Sequence, residues 1–470
     1  MDRLPTELFL AIAGEVPEQI DRLNLLRVCR RWRDTFLEVA YGTLELDSAQ
    51  VPQLVETLLG NSKIALSVRR LDILHWHSPG REPGNENVRV LVDEIASSPE
   101  EADDWRSDLL RLNPNAWLAV LLLIVPNLTS LSWGDAWPSR WVTTLTLRAS
   151  YRDPPLDARP VLQSLSMVEL PAVDLGNHID YISIPQVVPF LHLPSIRHLY
   201  LEKVKDGIDS EDGWVQLCID HPVLNAAAGT SPVETLRLQA HCNLSFGAGI
   251  LINSCANLKE FTYQHNNEIR EDEYRDFRPR AFRDPLLGQK QSLEVLHLSD
   301  RGESGIGLDE PDDEEDDFEP ADRWFGSFAD FERLWDLRVR AQNLLNLHPR
   351  DSHHSLILKD VLPNSLKWLH VAHCDEEHCA VLVDGLLDVL RERAEAERFP
   401  HLERIFIYAE IAESSQPQPA GPHRPPADLR VSAAIRQRCA PLQAMCERAG
   451  ITFNLSLGND YKIVYLGGDA

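Results

Sequence analysis

The chain has no Cys-x-x-Cys pair among its eight cysteines, no Gly-x-Ser-x-Gly elbow and no phosphate-cradling glycine loop. These absences remove the usual signatures of a paired-cysteine metal site, a serine hydrolase and a nucleotide-binding loop. Basic residues are few. Lys and Arg number 46 against 73 Asp and Glu, which leaves a net charge of −27. A general nucleic-acid or anionic-membrane binder wants a basic surface, so neither is expected as a partner. The balance favours solubility and, weakly, basic partners. Long apolar runs are also missing. The longest, Ala116 to Val125, is about half of what a membrane span needs, and Pro126 stops it. No charged segment leads into an apolar one at the start, so the expected compartment is reducing, cytoplasm and/or nucleus, with unbridged thiols.

What the chain does have is length and pattern. Its 470 residues, 43% hydrophobic, can hold several domains' worth of core. In the first forty-odd residues, Pro5 can open a helix, because the N–H it lacks would be an orphan there. Leu4, Leu8 and Ile12 then recur at helical spacing, and Pro17 ends the segment. Asp21 is the expected N-cap of a second helix carrying Leu25, Leu26 and Val28. Arg30 to Val39 reads as a third, with Trp32, Phe36 and Val39 on one side. Three short helices bury too little surface to stand alone, so part of this apolar face must pack elsewhere. Cys29, inside an apolar run, is expected to be a buried structural thiol.

The stretch Leu4-Pro5-Thr6-Glu7-Leu8, followed by Val28-Cys29-Arg30-Arg31-Trp32, resembles an F-box, the module that plugs a protein into an SCF-type ubiquitin ligase. The resemblance implies that Leu4, Pro5, Leu8, Ile12, Val28 and Trp32 contact a Skp-type adaptor and, through it, a cullin. It covers residues 1–45. The Gly14 to Gln19 stretch departs from the family's more continuous apolar pattern, which puts the helix boundary there in question.

From Leu128 onward a second pattern recurs: apolar, two residues, apolar, one residue, apolar. Copies read Leu128–Leu131–Trp133, Val142–Leu145–Leu147, Leu162–Leu165–Met167, Ile196–Leu199–Leu201 and Val233–Leu236–Leu238. They continue as Leu258–Phe261–Tyr263, Leu293–Leu296–Leu298, Leu334–Leu337–Val339, Leu366–Leu369–Val371 and Leu402–Ile405–Ile407, with an earlier copy at Val68–Leu71–Ile73. This is the strand core of a leucine-rich repeat. The Asn or Cys that ladders along regular repeats appears only as Asn266 and Cys374, and the intervals are uneven. The fold class expected is α/β: a three-helix F-box, then an irregular leucine-rich-repeat solenoid over residues 46–470, similar to the repeat domains of many fungal F-box proteins. Its parallel strands would line a concave face, with variable helices outside. Trp117 to Val125 is a buried helix, Val381 to Arg398 an amphipathic one, and Thr452 to Leu457 with Tyr461 to Leu466 are terminal strands. Leu308 to Pro320, with nine acidic residues, and the Pro-rich Ser414 to Pro426 are loops inserted between strands.

The chemistry expected is recognition. His370, His373, Cys374, His378 and Cys379 have ligand chemistry, but the repeat accounts for Cys374 and His370, and no second cluster exists. No metal, cofactor or catalytic residue is expected. The residue between the last two apolar positions of each copy points outward: Ser132, Thr146, Ser166, Tyr200, Arg237, Thr262, His297, Arg338, His370 and Phe406. Tyr200, Arg237, His297, Arg338, Arg340, His370 and Phe406 are the candidate client-binding residues. The three arginines suit an acidic or phosphorylated client segment. The function implied is a non-catalytic substrate receptor. The alternative is a repeat scaffold for protein interactions outside ubiquitination.

Overall fold

The computed structural model describes residues 5–16, 18–75, 86–134, 140–171, 182–205, 228–240, 247–265, 277–300, 324–345, 357–409 and 431–457. Leu4, Pro17, Asn266, the 308–320 and 414–426 segments and Tyr461 to Leu466 lie outside the described residues. The chain divides into two compact units, Met1–Leu236 with Ser254–Ala256, and Arg237–Asn253 with Asn257–Ala470.

The first unit opens with α1 (Thr6–Gly14), α2 (Gln19–Leu25) and α3 (Arg30–Gly42). Trp32, Phe36 and Val39 share a face of α3 at helical spacing. Phe36 and Ala40 are buried with Leu26, and Leu23, Leu25, Trp32, Val39 and Tyr41 pack around them. The ends are tied by side chains: Gln19 Nε2 donates to the Ala40 carbonyl at 2.8 Å and Arg22 Nε to the Val16 carbonyl at 2.7 Å. Asp21 is not the cap. Glu18 holds that position with extended backbone, and Asp21 sits in the first turn, where its charge complements the helix dipole. Cys29 is exposed rather than buried, because it precedes α3 instead of lying on its packed face.

Strand β1 (Thr43–Asp47), which sequence periodicity did not suggest, follows α3 with no intervening residue. It pairs in parallel with β2 (Arg70–His75), then β3 (Ser130–Trp133), β4 (Met167–Leu170) and, beyond the two-residue β5 (Ile182–Ser183), β6 (His198–Lys205). Leu44, Leu71, Leu131, Val168 and Leu199 stand in register and are buried. A repeated backbone link fixes that register. The Arg69 carbonyl accepts from Thr129 and Ser130 (2.7 and 3.0 Å), the Thr129 carbonyl from Ser166 and Met167 (2.8 and 3.0 Å), and the Ser166 carbonyl from Arg197 and His198 (2.8 and 3.0 Å).

This link corrects one repeat copy, and the helix that follows β3 corrects another. Ser166 is equivalent to Thr129, so the fourth-strand copy is Leu165–Val168–Leu170, three residues later than Leu162–Leu165–Met167. Both triplets fit the pattern, but Leu162 has positive φ (56°) and Met167 is only half-buried. Val142–Leu145–Leu147 lies not in a strand but in the helix Arg140–Tyr151. There Val142, Leu145 and Ala149 are buried at helical spacing while Leu147 is half-buried. Thr146 is buried and its Oγ1 donates to the Val142 carbonyl at 2.8 Å.

The apolar run does form a helix, Pro114–Ile124, buried from Asn115 to Leu123. Asn113 caps it, its Oδ1 accepting from Asn115 N at 3.0 Å and Ala116 N at 3.4 Å. Around it two buried indoles find acceptors: Trp105 Nε1 on the Ala116 carbonyl (3.2 Å) and Trp117 Nε1 on the Leu109 carbonyl (3.1 Å).

Strand β7 (Thr235–Ala240) contributes residues to both units. The second unit carries β8 (Glu260–His265), β9 (Val295–Asp300), β10 (Asp336–Arg340), β11 (Trp368–Cys374), β12 (Arg404–Ala409) and β13 (Thr452–Leu457), each parallel to the next in chain order. Phe261, Leu296, Leu337, Leu369 and Ile405 are in register and fully buried. Outside the strands runs the helix Glu376–Ala396, with Leu382, Leu386 and Leu390 buried as expected and Leu387 half-buried. It packs on the helix Ala433–Ala449, where Cys379 Sγ lies 3.5 Å from Cys439 Sγ. No helix among the described residues is long and apolar enough to cross a membrane.

Candidate functional site

Two surfaces carry the residues singled out in the sequence. The first is the outer side of the three-helix module. Its core consumes Leu26, Phe36 and Ala40. Leu8, Ile12, Ile20 and Val28 are left bare, 51%, 55%, 61% and 60% exposed, and Leu10 is 38% exposed. Leu8 and Ile12 lie one turn apart on α1, so they share a face. Pro5, just before α1, is exposed too. Trp32 differs from these. It is half-buried and meets Phe36 edge-on at 5.2 Å, so it supports the module as well as bordering its surface. So many uncovered large apolar side chains on so small a helical unit are the mark of an interaction surface.

The second surface is the outward row of the repeat strands. In the second unit, Thr262, His297, Arg338, His370 and Phe406 stand in register across β8 to β12. His370 is buried and stacks on Phe406 with ring centroids 4.4 Å apart and planes at 4°. Its Nδ1 is 3.5 Å from the Tyr408 hydroxyl. Burial, followed by the charge of Arg338, pushes the imidazole down to about 3, so it is neutral at physiological pH. Asp336 lies beside this row, with Oδ2 3.2 Å from His297 Nε2. Burial pushes the Asp336 carboxyl up, but His297, Arg338 and His370 outweigh it and hold it below the ordinary carboxylate range. Arg338 Nε is buried without a hydrogen-bond acceptor. Arg237 is matched: its Nε donates to Glu260 Oε1 at 2.6 Å. Arg340 ends β10 on the same face.

In the first unit the outward row is Glu45, Asp72, Ser132, Glu169 and Tyr200. Tyr200 stands where expected, stacked on His198 at 6.3 Å. Glu169 replaces Ser166, which the corrected register places before β4, and Glu45 and Asp72 enter with the first two strands. Sequence reasoning missed Glu169 through the three-residue slip and Glu45 because β1 went unseen; Asp72 lies inside the recognised copy Val68–Leu71–Ile73, but the outward series was begun only at Ser132. The leucine-rich pattern Leu165–Val168–Leu170 was the signal that could have found Glu169.

Among the described residues, no three of His, Cys, Asp and Glu converge closely enough to hold a metal ion. Cys374, in the repeat's Asn/Cys position, is fully buried with Sγ 3.9 Å from the Val371 and Ala372 carbonyls.

An exposed apolar helical module joined to parallel-strand repeats defines a class: a docking module coupled to a repeat-built recognition domain. Family models make this specific. Residues 81–410 match a leucine-rich repeat domain, and residues 1–38 match an F-box-like domain. The chain belongs to the leucine-rich repeat domain family and carries an F-box-like domain at its N-terminus. No curated protein matches it. F-box-like and leucine-rich repeat domains together are the composition of SCF-type substrate receptors in general, and proteins so built are typically non-catalytic.

Proposed function

We infer that this protein is the substrate-receptor subunit of an SCF-type ubiquitin ligase. The module at residues 1–45 docks a Skp-type adaptor through Leu4, Pro5, Leu8, Ile12, Val28 and the edge of Trp32. The repeat domain, residues 46–470, holds a client protein on its outward strand face. The observation that carries the reading is the apolar set Leu8, Ile12, Ile20 and Val28, more than half exposed on a module matched by an F-box-like model. The receptor needs no acid, base or nucleophile. Holding a client near the conjugating enzyme raises the effective concentration of the client's lysines.

The test is adaptor capture by the full chain and by the Leu8→Asp, Ile12→Asp variant. These side chains pack against little, so the variant is expected to keep its fold by circular dichroism and to lose the adaptor. Undiminished capture refutes the docking face. Recovery of a cullin with the adaptor supports the ligase role. Recovery of the adaptor without a cullin refutes it and leaves a scaffold acting outside ubiquitination.

A further inference from the structure

The first unit's strand face is acidic where the second unit's carries Arg237, Arg338 and Arg340. Glu45, Asp72 and Glu169 stand in one registered row, and Glu202 follows two residues after Tyr200 on β6. Arg70 lies against the row, its Nε 2.7 Å from Asp72 Oδ2. Two polar atoms in the floor of the row are unpartnered. Asp72 is only 6% exposed, yet its Oδ1 has no hydrogen-bond partner. Ser130, 8% exposed and on the same face of β3 as Ser132, has an unpartnered Oγ. Above this floor, Ser132, Glu169 and Tyr200 are half-buried and Glu45 is exposed, so the row is reachable. Burial pushes the Glu169 carboxyl up; Arg70 opposes that push, and Asp72 and Glu202 add to it.

Buried polar atoms without partners are costly, and a carboxylate such as Asp72 gains most from a cationic donor. The described carboxylates do not converge as metal ligands. A side chain with several N–H donors on a long stem suits their spacing better. Tyr200, in register with Glu169, offers a ring face to such a cation or its stem.

We propose that Asp72, Ser130, Glu169 and Glu202 form a subsite that takes a lysine or arginine side chain of the client. The proposal rests on the receptor reading only in calling the ligand a client segment. It gives one client determinant a chemistry: a basic residue, read by the first unit alone.

The experiment uses the full chain and a fluorescein-labelled, otherwise uncharged peptide carrying two lysines, with matched arginine and glutamine peptides. Fluorescence anisotropy is expected to show the lysine and arginine peptides binding about tenfold or more tighter than the glutamine peptide. Glu169→Gln is expected to weaken them by a similar factor, and Glu202→Gln repeats the test at a second position. Glu86→Gln removes the same charge from a fully solvated side chain (81% exposed) and is expected to change nothing. Equal binding of lysine and glutamine peptides overturns the proposal. So does equal weakening by Glu169→Gln and Glu86→Gln, which would mean diffuse attraction to a chain of net charge −27. Adaptor capture is measured on the same samples. Loss of the adaptor with peptide selectivity intact sinks the receptor reading and spares the subsite, and the reverse pattern does the opposite.

Discussion

Acidification will destabilise the second unit, and between pH 7.5 and 4.5 the His370 imidazole is one identifiable source of the loss. His370 is 5% exposed, stacked on Phe406, and faces Arg338, Asp336, His297 and Arg404. Its folded-state pKa is about 3, against 6.5 for the free side chain. Above pH 6.5 neither state holds the proton and the contribution to stability is complete. Below 6.5 the unfolded chain takes the proton and the folded chain does not, so stability drains away until the pH nears 3. At pH 4.5 the gap spans two units, for a loss of about 3 kcal/mol. His370→Gln removes the titration. It is expected to lower stability at pH 7.5 through the lost stack, and to flatten the slope between pH 7.5 and 4.5 by that amount relative to wild type. Urea unfolding at several pH values measures the slope. The ring resonance of His370, identified by its disappearance in the variant, should stay at its neutral position down to pH 5. A midpoint near 6.5, or parallel stability curves for the two proteins, would refute the argument.

Other outcomes follow from the packing. Phe36→Ala should cost about 3–5 kcal/mol in the helical module and abolish adaptor capture together with its helical signal, unlike Leu8→Asp, which should abolish capture alone. Asn113→Ala removes the acceptor for two N–H groups at the start of the buried helix and should cost about 1 kcal/mol by thermal or urea unfolding. Diamide, which takes two electrons and two protons from a thiol pair, should join Cys379 to Cys439, giving one crosslinked peptide in a non-reducing digest that is missing from Cys439→Ser.

Much of this was legible in the sequence, because a repeat reports itself many times over. The copies from Ile196 to Leu402 all land on strands, since each pairs a buried apolar triplet with a neighbour of the same spacing. The errors arose where the pattern was locally degenerate. Leu162, Leu165, Val168 and Leu170 satisfy two registers, and only the carbonyl link from Thr129 selects one. Val142, Leu145 and Leu147 also fit the pattern, but burial at Val142, Leu145 and Ala149 follows the helical period. Side-chain pairing was out of reach: no linear pattern reveals that Arg237 is matched by Glu260 or that His370 lies flat against Phe406. Nor could spacing separate Trp32, which braces the module, from Leu8 and Ile12, which do not.

The joint between α3 and β1 has length zero. Gly42 ends the helix, Thr43 begins the strand, and the Gly42 carbonyl accepts from Arg69 N at 2.9 Å, one residue before β2. A tether of many residues lets a cargo swing and makes neighbouring lysines nearly interchangeable. A joint without slack acts as a lever instead. Whatever grips α1 to α3 sets the direction of the first strand, and, on the receptor reading proposed above, with it the side of a client turned toward the conjugating enzyme. Inserting a short Gly-Ser stretch between Gly42 and Thr43 would convert the lever into a leash, and the choice among acceptor lysines should blur while capture at both ends persists.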